Sequence, residues 1–383
     1  MNISILGSTG SIGRQTIEVV KDLPNINICA LAAKSDYELL AEQAKAVRPS
    51  LVALYDKDAA LQLKKLLPDV EVAAGMEGIL QCATIKESNL VVNAMVGSIG
   101  LKPTMAAIEA KKDVALANKE TLVAGGSLVM ESAKKNNVTI RPIDSEHSAI
   151  WQCLNGDLSD SYQDAVSRLI LTASGGAFRT WTKEKIAKAS AADALRHPNW
   201  NMGSKITIDC ATMMNKGLEY IEAHWLFNMS YEKIQILIHP QSIIHSMVKF
   251  KDGAIMAQMA APDMRQPIQY ALTAPNRINL RHDTLDFLAL NTLTFEAPDM
   301  ERFPCLGLAI KSAKIGGTLP AMMNALNEKL VAAYLQGTIG FYDISSIIEK
   351  AIGTYTVKPV NCFADVEEAE AWASEFLDKL RGR

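Results

Sequence analysis

The sequence lacks several features that mark membrane, nucleic-acid-binding and disulfide-stabilised proteins. No apolar run approaches the roughly 18 residues of a transmembrane helix, and the opening MNISILG carries none of the basic residues typical of a signal peptide. The six cysteines are scattered without a Cys-x-x-Cys spacing, which argues against a disulfide framework or a zinc knuckle. Lys and Arg (39) nearly balance Asp and Glu (42), and no basic block compensates. We therefore expect a cytoplasmic protein with no membrane and no nucleic-acid partner.

The chain does have an ordinary globular composition, with 49% hydrophobic and 21% charged residues, which excludes wholesale disorder. At about 100–200 residues per domain, its 383 residues predict two or three domains. In the first third, short apolar runs such as Ile3–Leu6, Leu51–Tyr55 and Leu90–Ala94 alternate with helical stretches such as Tyr37–Val47. This alternation predicts an α/β fold with a parallel, doubly wound sheet.

The pattern changes after residue 145. Val166–Leu171 is strand-like, Ile206–Ile208 and Ile234–Ile238 are candidate strands, and Asp252-Gly253 between two apolar runs is a hairpin signal. These features predict an α+β domain with antiparallel strands.

The end of the chain predicts a C-terminal helical bundle. Asp343 and Asp365 stand at expected N-cap positions. Apolar residues recur at helical spacing in four segments: Leu306–Ala313, Pro320–Gln336, Asp343–Ile352 and Asp365–Leu380.

A glycine-rich turn joins the first predicted strand to the first predicted helix. Gly7, Gly10 and Gly13 form a GxxGxxG variant of the dinucleotide fingerprint. Glycines there permit a tight turn and close approach to a pyrophosphate, which the helix N-terminus then binds. We expect a nucleotide cradle rather than a merely structural turn.

The end of the second predicted strand bears on which nucleotide is bound. Lys34 and Ser35 suit a 2′-phosphate, so NADPH is favoured over NADH. The alternative is that Lys34 is a solvated loop residue and that Asp36 holds the ribose of NAD.

Two carboxylates follow the strand-like run Val138–Ile143. If the extended geometry persists, Asp144 and Glu146 project to one face, where a hard cation such as Mg²⁺ or Mn²⁺ would neutralise them. A helix cap at Asp144 or Ser145 is the alternative.

Three further segments carry candidate binding groups. Asn215, Lys216 and Glu219 could hold a phosphate and a metal, although the pattern alone is better explained by an amphipathic surface helix. Ser174-Gly175-Gly176 after a strand suits an anion cradle or a plain turn equally well. The stretch from His197 to Gly203, with Trp200 in polar surroundings, suits a mobile lid or a loop docked on the core.

Seven motifs occur in the following order: Gly7–Gly13, Leu116–Glu120, Asp144–His147, Ser174–Gly176, His197–Trp200, Met213–Glu219 and Ile238–Ser242. Taken together, they resemble the 1-deoxy-D-xylulose 5-phosphate reductoisomerase family along essentially the whole chain. The resemblance implies NADPH- and divalent-metal-dependent conversion of a ketose phosphate, within a homodimer.

The resemblance also implies roles for individual residues. Lys119, Asp144, Glu146 and Glu219 would be catalytic, and the three acids would be the ligands of Mg²⁺ or Mn²⁺, with Co²⁺ also accepted. The implied NADPH contacts are Gly7, Thr9, Gly10, Ser11, Ile12, Ala33, Lys34, Ser35, Asn118, Glu120 and Gly203. The implied substrate contacts are Lys119, Ser145, Glu146, Ser174, His197, Trp200, Cys210, Asn215, Lys216 and Glu219.

Two departures from the family pattern stand out. Cys210 replaces a serine that contacts phosphate, and a thiol donates hydrogen bonds poorly. Ala33-Lys34-Ser35 replaces Gly-Lys-Asn, but the lysine charge is kept.

We predict a Rossmann-like NADP-binding domain (1–144), an α+β catalytic domain (145–273), a linker (274–299) and a helical domain (300–383).

Two other functions remain open from the sequence. A semialdehyde-type NADP-dependent dehydrogenase would need a catalytic cysteine or an acid–base pair and no divalent metal. A silent NADP sensor or sugar-phosphate-binding protein would need no triad of acids.

Overall fold

A computed structural model describes residues 1–159, 162–200, 202–279, 284–380 and 382. Asn201 of the predicted lid and residues 280–283 of the predicted linker lie outside this description. The chain forms two compact, interleaved units. Unit 1 comprises Met1–Thr121, Val129–Ser148 and Asp263–His282, and unit 2 comprises Leu122–Leu128, Ala149–Pro262 and Asp283–Arg383. The three-domain division remains a prediction.

The described residues form eleven strands and sixteen α-helices. The strands are β1 (Asn2–Leu6), β2 (Asn27–Ala33), β3 (Leu51–Leu54), β4 (Glu71–Ala74), β5 (Leu90–Asn93), β6 (Asp113–Leu116), β7 (Ile140–Pro142), β8 (Val166–Ala173), β9 (Ile234–Ile238), β10 (Ile244–Phe250) and β11 (Ile255–Met259). The helices are α1 (Ser11–Lys21), α2 (Tyr37–Val47), α3 (Lys57–Leu66), α4 (Gly75–Thr84), α5 (Leu101–Glu109), α6 (Lys119–Asn136), α7 (Ser145–Cys153), α8 (Lys183–Ile186), α9 (Ala191–Ala194), α10 (Ser204–Thr212), α11 (Met214–Phe227), α12 (Arg265–Thr273), α13 (Pro304–Ile315), α14 (Leu319–Leu335), α15 (Phe341–Thr354) and α16 (Phe363–Leu380).

Unit 1 is built on a parallel sheet with the strand order β4-β3-β2-β1-β5-β6-β7 among the described residues. The residues of β3 and β5 are all buried, as expected for strands covered on both faces. The strand order reverses beside β1, where Leu6 pairs with Ala32 on one side and Asn93 on the other. Ligand crevices form at such reversals, outside the carboxyl ends of the strands. The predicted Rossmann-like α/β architecture is confirmed.

Two elements of unit 1 escape the sequence pattern. The edge strand β4 is only half-buried, and α4 begins directly after it, so neither stands out as an apolar run. The third segment of the unit contributes α12, which packs on α1 and carries Arg265, 2.8 Å from the Glu18 carboxylate.

Helix α6 contains residues of both units and bends at Gly125, whose φ of −133° is not helical. Within unit 2, a Cβ placed on Gly126 would lie 2.3 Å from the indole ring of Trp225. Glycine at position 126 therefore permits a close approach that no other residue allows.

Unit 2 contains a mixed sheet with the order β11-β10-β8-β9 among the described residues. The predicted β10–β11 hairpin is present, with Gly253 in the left-handed region at φ +94°. β8 and β9 pair in parallel, contrary to the prediction, because the α10–α11 segment between them provides the long crossover that parallel strands need. Ile206–Ile208 lies within α10 and not in a strand, so burial of one helix face outweighs the strand preference of its isoleucines.

The four predicted C-terminal helices are present as α13 to α16, with shifted starts. The carboxylate of Asp343 accepts a hydrogen bond from the Gly340 N–H (2.7 Å), and that of Asp365 accepts one from the Cys362 N–H (2.9 Å). Both aspartates thus occupy the third helical position instead of the predicted N-cap, and each reaches back to the cap. No described helix is long and apolar enough to cross a membrane.

Candidate active site

The glycine-rich turn of unit 1 has the geometry of a nucleotide cradle. Gly7 has a φ of +86°, and a Cβ there would lie 2.4 Å from the Ala94 carbonyl oxygen. A Cβ on Gly13 would lie 2.3 Å from the Gly7 carbonyl oxygen. Gly10 is the N-cap of α1 and has no side chain to cover the first N–H groups of the helix. The turn therefore fits a pyrophosphate, which needs close backbone approach and helix N–H donors.

The carboxyl end of β2 supports the predicted preference for NADPH. Lys34 and Ser35 are exposed directly after the buried Ala33. Asp36 caps α2 instead, since its carboxylate accepts a hydrogen bond from the Leu39 N–H at 3.1 Å. The cation is thus the available group, and the carboxylate that would suit NAD is engaged in the helix cap.

Asn118 organises the loop before α6. Its buried amide donates to the carbonyl oxygens of Met95 and Gly97, both at 2.9 Å, and to the Glu120 carboxylate at 3.0 Å. A Cβ on Gly100 would lie 2.5 Å from the Asn118 side-chain oxygen. The structure thus places the two predicted NADPH contacts, Asn118 and Glu120, in one hydrogen-bonded cluster at the carboxyl ends of β5 and β6.

Lys119 and Asp144 form a buried ion pair in unit 1. Nζ of Lys119 lies 2.5 Å from Oδ2 of Asp144, and Nδ1 of His147 lies 3.7 Å from the same oxygen. Burial acts to raise the pKa of Asp144, but Lys119 and His147 outweigh it and hold the pKa well below the usual range. Asp144 is therefore an anion, as a ligand of a cation must be.

Asp144 and Glu146 are not on one extended strand as predicted. β7 ends at Pro142 and α7 begins at Ser145, so Asp144 immediately precedes the helix and Glu146 lies in its first turn. The Ser145 hydroxyl donates to the Glu146 carboxylate. The negative charges nevertheless lie at a helix N-terminus, where the helix dipole favours them.

Asn215, Lys216 and Glu219 lie together on α11 of unit 2. Glu219 is 1% exposed and accepts hydrogen bonds from the Asn215 amide and the Lys216 ammonium group. Every residue from Met214 to Ala223 is buried. The helix is therefore not an amphipathic surface helix, and its polar residues form an internal polar group.

The segment after β8 brings two further predicted residues of unit 2 together. Gly175 and Gly176 both have positive φ, and the Gly176 N–H donates to Oγ of Ser174. Ser174 Oγ also lies 2.9 Å from Nε2 of His197 in the predicted lid. A Cβ on Gly176 would lie 2.4 Å from the Cys210 carbonyl oxygen, so this turn packs closely on α10.

Two more predicted residues flank this part of unit 2. Trp200 is half-buried, with its ring centroid 6.0 Å from that of His245. Gly203 is exposed and serves as the N-cap of α10.

Sequence reasoning missed Asp209, which holds α10 in place. Its carboxylate is 1% exposed, lies 2.8 Å from Nζ of Lys205 and accepts a hydrogen bond from the Asn327 amide at 2.8 Å. Asn327 lies on α14, 118 residues further along the chain. An acidic residue within an apolar stretch of α10 was the only available signal.

A doubly wound parallel sheet with a glycine-rich turn beside the reversal of its strand order is typical of one class of protein, the NAD(P)-dependent enzymes of the α/β type. A model of the 1-deoxy-D-xylulose 5-phosphate reductoisomerase family matches residues 3–126, and two models of C-terminal domains of the same enzyme match residues 140–227 and 259–376.

Full-length relatives carry the same name. The reductoisomerase of Acetivibrio thermocellus is 51% identical over 380 residues, covering 99% of this chain and 98% of the relative. That of Bacillus cereus (strain Q1) is 48% identical over 379 residues, covering 98% of each. The chain therefore belongs to the 1-deoxy-D-xylulose 5-phosphate reductoisomerase family.

Solved structures agree. The Zymomonas mobilis reductoisomerase in complex with NADPH has a TM-score of 0.92 and 43% identity, covering 99% of this chain and 98% of that one. A reductoisomerase in complex with NADPH, fosmidomycin and magnesium has a TM-score of 0.94 and 37% identity, covering 100% and 99%. The predicted family, fold class and enzymatic activity are confirmed.

Proposed function

We propose that this chain converts 1-deoxy-D-xylulose 5-phosphate to 2-C-methyl-D-erythritol 4-phosphate, a step in the non-mevalonate route to isoprenoid precursors. NADPH is the hydride donor, and the metal is Mg²⁺ or Mn²⁺, with Co²⁺ as a further candidate. The observation that carries the proposal is the buried Lys119–Asp144 pair at the carboxyl end of the nucleotide-binding sheet. The solved relative with NADPH, fosmidomycin and magnesium supports it.

The cofactor residues divide by the part of NADPH that they would bind. The turn from Gly7 through Thr9, Gly10, Ser11 and Ile12 would surround the pyrophosphate. The N–H groups of Gly7 and Gly10 donate to the carbonyl oxygens of Ala32 and Gly7, so the N–H donors to the pyrophosphate would come from Ser11 and Ile12 in the first turn of α1.

Other groups would bind the remainder of the nucleotide. The exposed Lys34 and Ser35, with the backbone of Ala33, suit the 2′-phosphate. Asn118 and Glu120 shape the loop at the next strands, and Gly203 would add a backbone contact. The bound nucleotide supplies a hydride, and the protein fixes the direction from which it is delivered.

The three carboxylates that the family resemblance implies as metal ligands are Asp144, Glu146 and Glu219. A set of oxygen donors fits Mg²⁺ or Mn²⁺ better than Zn²⁺. The bound ion supplies Lewis-acid polarisation of the substrate oxygens. Lys119 and Lys216 neutralise the buried carboxylates that face them and offer ammonium donors to the substrate.

The substrate groups of unit 2 suit a phosphate. The groups available are the Ser174 hydroxyl, the His197 imidazole, the Asn215 amide and the Lys216 ammonium group. Cys210 lies on α10, the helix that directly precedes α11, which carries Asn215 and Lys216.

Two other groups complete the proposed substrate set. Ser145 would contact a substrate hydroxyl, and Trp200 would cover the bound molecule. Binding energy at a phosphate remote from the reacting carbons would orient the substrate and exclude water.

The semialdehyde dehydrogenase alternative would need a catalytic cysteine or an acid–base pair, and no divalent metal. Two of the six cysteines are unsuited to the nucleophilic role, which needs a thiolate. Burial raises the pKa of the Cys305 thiol to about 12 and raises that of Cys82 further, so both stay protonated.

The direct test measures NADPH consumption with 1-deoxy-D-xylulose 5-phosphate, with and without Mg²⁺, after treatment with a chelator. We expect turnover only with metal present. Absence of turnover with metal would reject the reductoisomerase function, and equal turnover without metal would reject the metal site.

We further propose a cytoplasmic homodimer. The edge strand β11 exposes Ile255 (52%) and Met256 (53%), and such an edge can pair with a second copy. Light scattering after gel filtration should give a dimer for the native chain and a monomer for Met256→Lys, whose charge opposes edge pairing. A monomeric native chain would reject the dimer.

A further inference from the structure

The ring of His197 is held between two sets of partners in unit 2. Its Nδ1 accepts hydrogen bonds from the backbone N–H groups of Asn199 (3.2 Å) and Trp200 (3.0 Å). Its Nε2 lies 2.9 Å from Oγ of Ser174. A nitrogen that accepts two N–H groups cannot itself carry a proton, so the proton of the neutral ring is on Nε2. His197 therefore presents an Nε2–H donor beside Ser174.

The two backbone donors are fixed by the Asn199 side chain. Its amide donates to the Pro240 carbonyl oxygen at 2.6 Å and to Oγ of Ser242 at 2.8 Å. Ser242 has a φ of +53°, a left-handed conformation that costs free energy in any residue but glycine. Ser242 adopts this conformation at the position where its hydroxyl oxygen accepts the hydrogen bond from the Asn199 amide.

The loop that receives Asn199 is anchored to the same sheet end as Ser174. The His239 N–H donates to the Ala173 carbonyl oxygen at 2.7 Å, and Ala173 immediately precedes Ser174. Nδ1 of His239 lies 2.9 Å from the Thr294 carbonyl oxygen, which secures the other side of the loop. The loop that binds the Asn199 amide and the residue Ser174 are therefore both held at the carboxyl ends of β8 and β9.

We propose that Asn199 and Ser242 are positioning residues that latch the His197 segment to the Pro240–Ser242 loop and so fix His197 as the Nε2–H tautomer facing the substrate phosphate. The proposal rests on the proposed function for the identity of the ligand. It assigns to His197 the role of a neutral donor, which leaves the positive charge at the phosphate to Lys216.

The tautomer can be observed without substrate. The chain has six histidines, so protein labelled with ¹⁵N in the imidazole rings gives few resonances, and His197→Asn identifies the one sought. In the native chain we expect an unprotonated Nδ1 and a protonated Nε2 for His197. In Asn199→Ala and Ser242→Ala we expect a mixture of tautomers. An unchanged His197 signature in both variants would overturn the proposal.

A matched control comes from the same loop. Gln241 lies between Pro240 and Ser242, and its side-chain amide donates to Oγ1 of Thr294 at 3.0 Å. Gln241→Ala should therefore leave the His197 tautomer unchanged. A change equal to that in Ser242→Ala would mean that the loop matters only as a fold element, and would reject the latch.

Kinetics provide the second readout. Because a neutral hydrogen bond contributes about 1 kcal/mol, Ser242→Ala should raise KM for the sugar phosphate about fivefold while kcat and KM for NADPH stay unchanged. Ser242→Gly relieves the left-handed conformation but also removes the hydroxyl, and should show the same rise. A native-like KM in Ser242→Gly would overturn the role of the hydroxyl.

A nearly isosteric variant covers the case in which Asn199→Ala fails to fold. Asn199→Asp keeps the shape but cannot donate to Pro240, and should show the tautomer mixture. A native-like tautomer in this variant would reject the role of the amide. If the native enzyme shows no turnover, the proposed function fails, while the ¹⁵N spectra still decide the latch.

Discussion

Each unit contains a lysine–carboxylate pair in which both side chains are largely buried, Lys119–Asp144 in unit 1 and Lys216–Glu219 in unit 2, and the two pairs are built differently. In unit 1, Lys119 at the start of α6 meets Asp144 after β7, so the pair depends on the alignment of neighbouring strand ends. In unit 2, Lys216 and Glu219 are three residues apart on the buried helix α11. The first pair is tertiary and the second is local. Removing one partner of a buried pair leaves an uncompensated charge, at a cost of about 3–5 kcal/mol.

The largest effect is expected for the tertiary pair. Asp144→Asn removes a proposed metal ligand, and losing about 4 kcal/mol of metal-assisted stabilisation should lower kcat on the order of 10³-fold. The decrease in kcat is measured by steady-state NADPH consumption. The control is Asp113→Asn, which breaks the 2.7 Å pair with Arg141 at the opposite end of β6 and should change kcat by no more than about twofold. A drop shared by both variants would point to the sheet and not to the metal.

Lys119→Met tests the lysine of the same ion pair and distinguishes its role from that of Asp144. The lysine and the metal would compete for the Asp144 carboxylate, so Mn²⁺ should bind at least as tightly as in the native enzyme, by paramagnetic resonance titration. Loss of a charged substrate contact should lower kcat/KM on the order of 100-fold. Weaker Mn²⁺ binding than in the native enzyme would contradict this division of roles.

Lys216→Met tests the local pair. Loss of a charge-assisted hydrogen bond to phosphate should raise KM for the sugar phosphate about 30-fold, with a smaller change in kcat. Lys183→Met, at an exposed position of α8, is the matched control and should leave KM within about twofold. If kcat falls and KM does not change, Lys216 acts on the reacting carbons instead.

The smallest effect is expected at Cys210. Cys210→Ser restores a stronger donor beside the proposed phosphate groups and should lower KM about threefold. Cys362→Ser, which alters an exposed thiol, should have no effect. An unchanged KM in Cys210→Ser would show that position 210 does not touch the phosphate.

The fold was predictable where burial gives a simple pattern. The strands of unit 1 are continuous apolar runs because both faces of the parallel sheet are covered. β4 was missed because an edge strand needs no such run. Ile206–Ile208 was considered a candidate strand because β-branched residues fit either structure when buried, but it lies in α10. Asp343 and Asp365 were predicted at the N-cap but lie at the third helical position. In a capping box the side chain at the third position also accepts a hydrogen bond, from the N–H of the N-cap residue, so the sequence does not distinguish the two positions.

The site was predictable only as separate segments. Chain order reveals Lys216 and Glu219 together because they share one helical turn. It does not reveal that Asn327 meets Asp209, or that Asn199 meets Ser242, since such partners are chosen by tertiary packing.

The interleaving of the units has a consequence for inheritance. Because Asp263–His282 returns to unit 1, where α12 packs on α1, the cofactor-binding half is not a contiguous cassette. A gene fragment ending at residue 144 would leave the α12-facing side of α1 bare to water. Recombination that exchanged only the N-terminal stretch between two such enzymes would bring together an α1 and an α12 of different ancestry. A functional exchange between two such enzymes should therefore require that the N-terminal segment with α1 and the segment with α12 are both taken from the same parent.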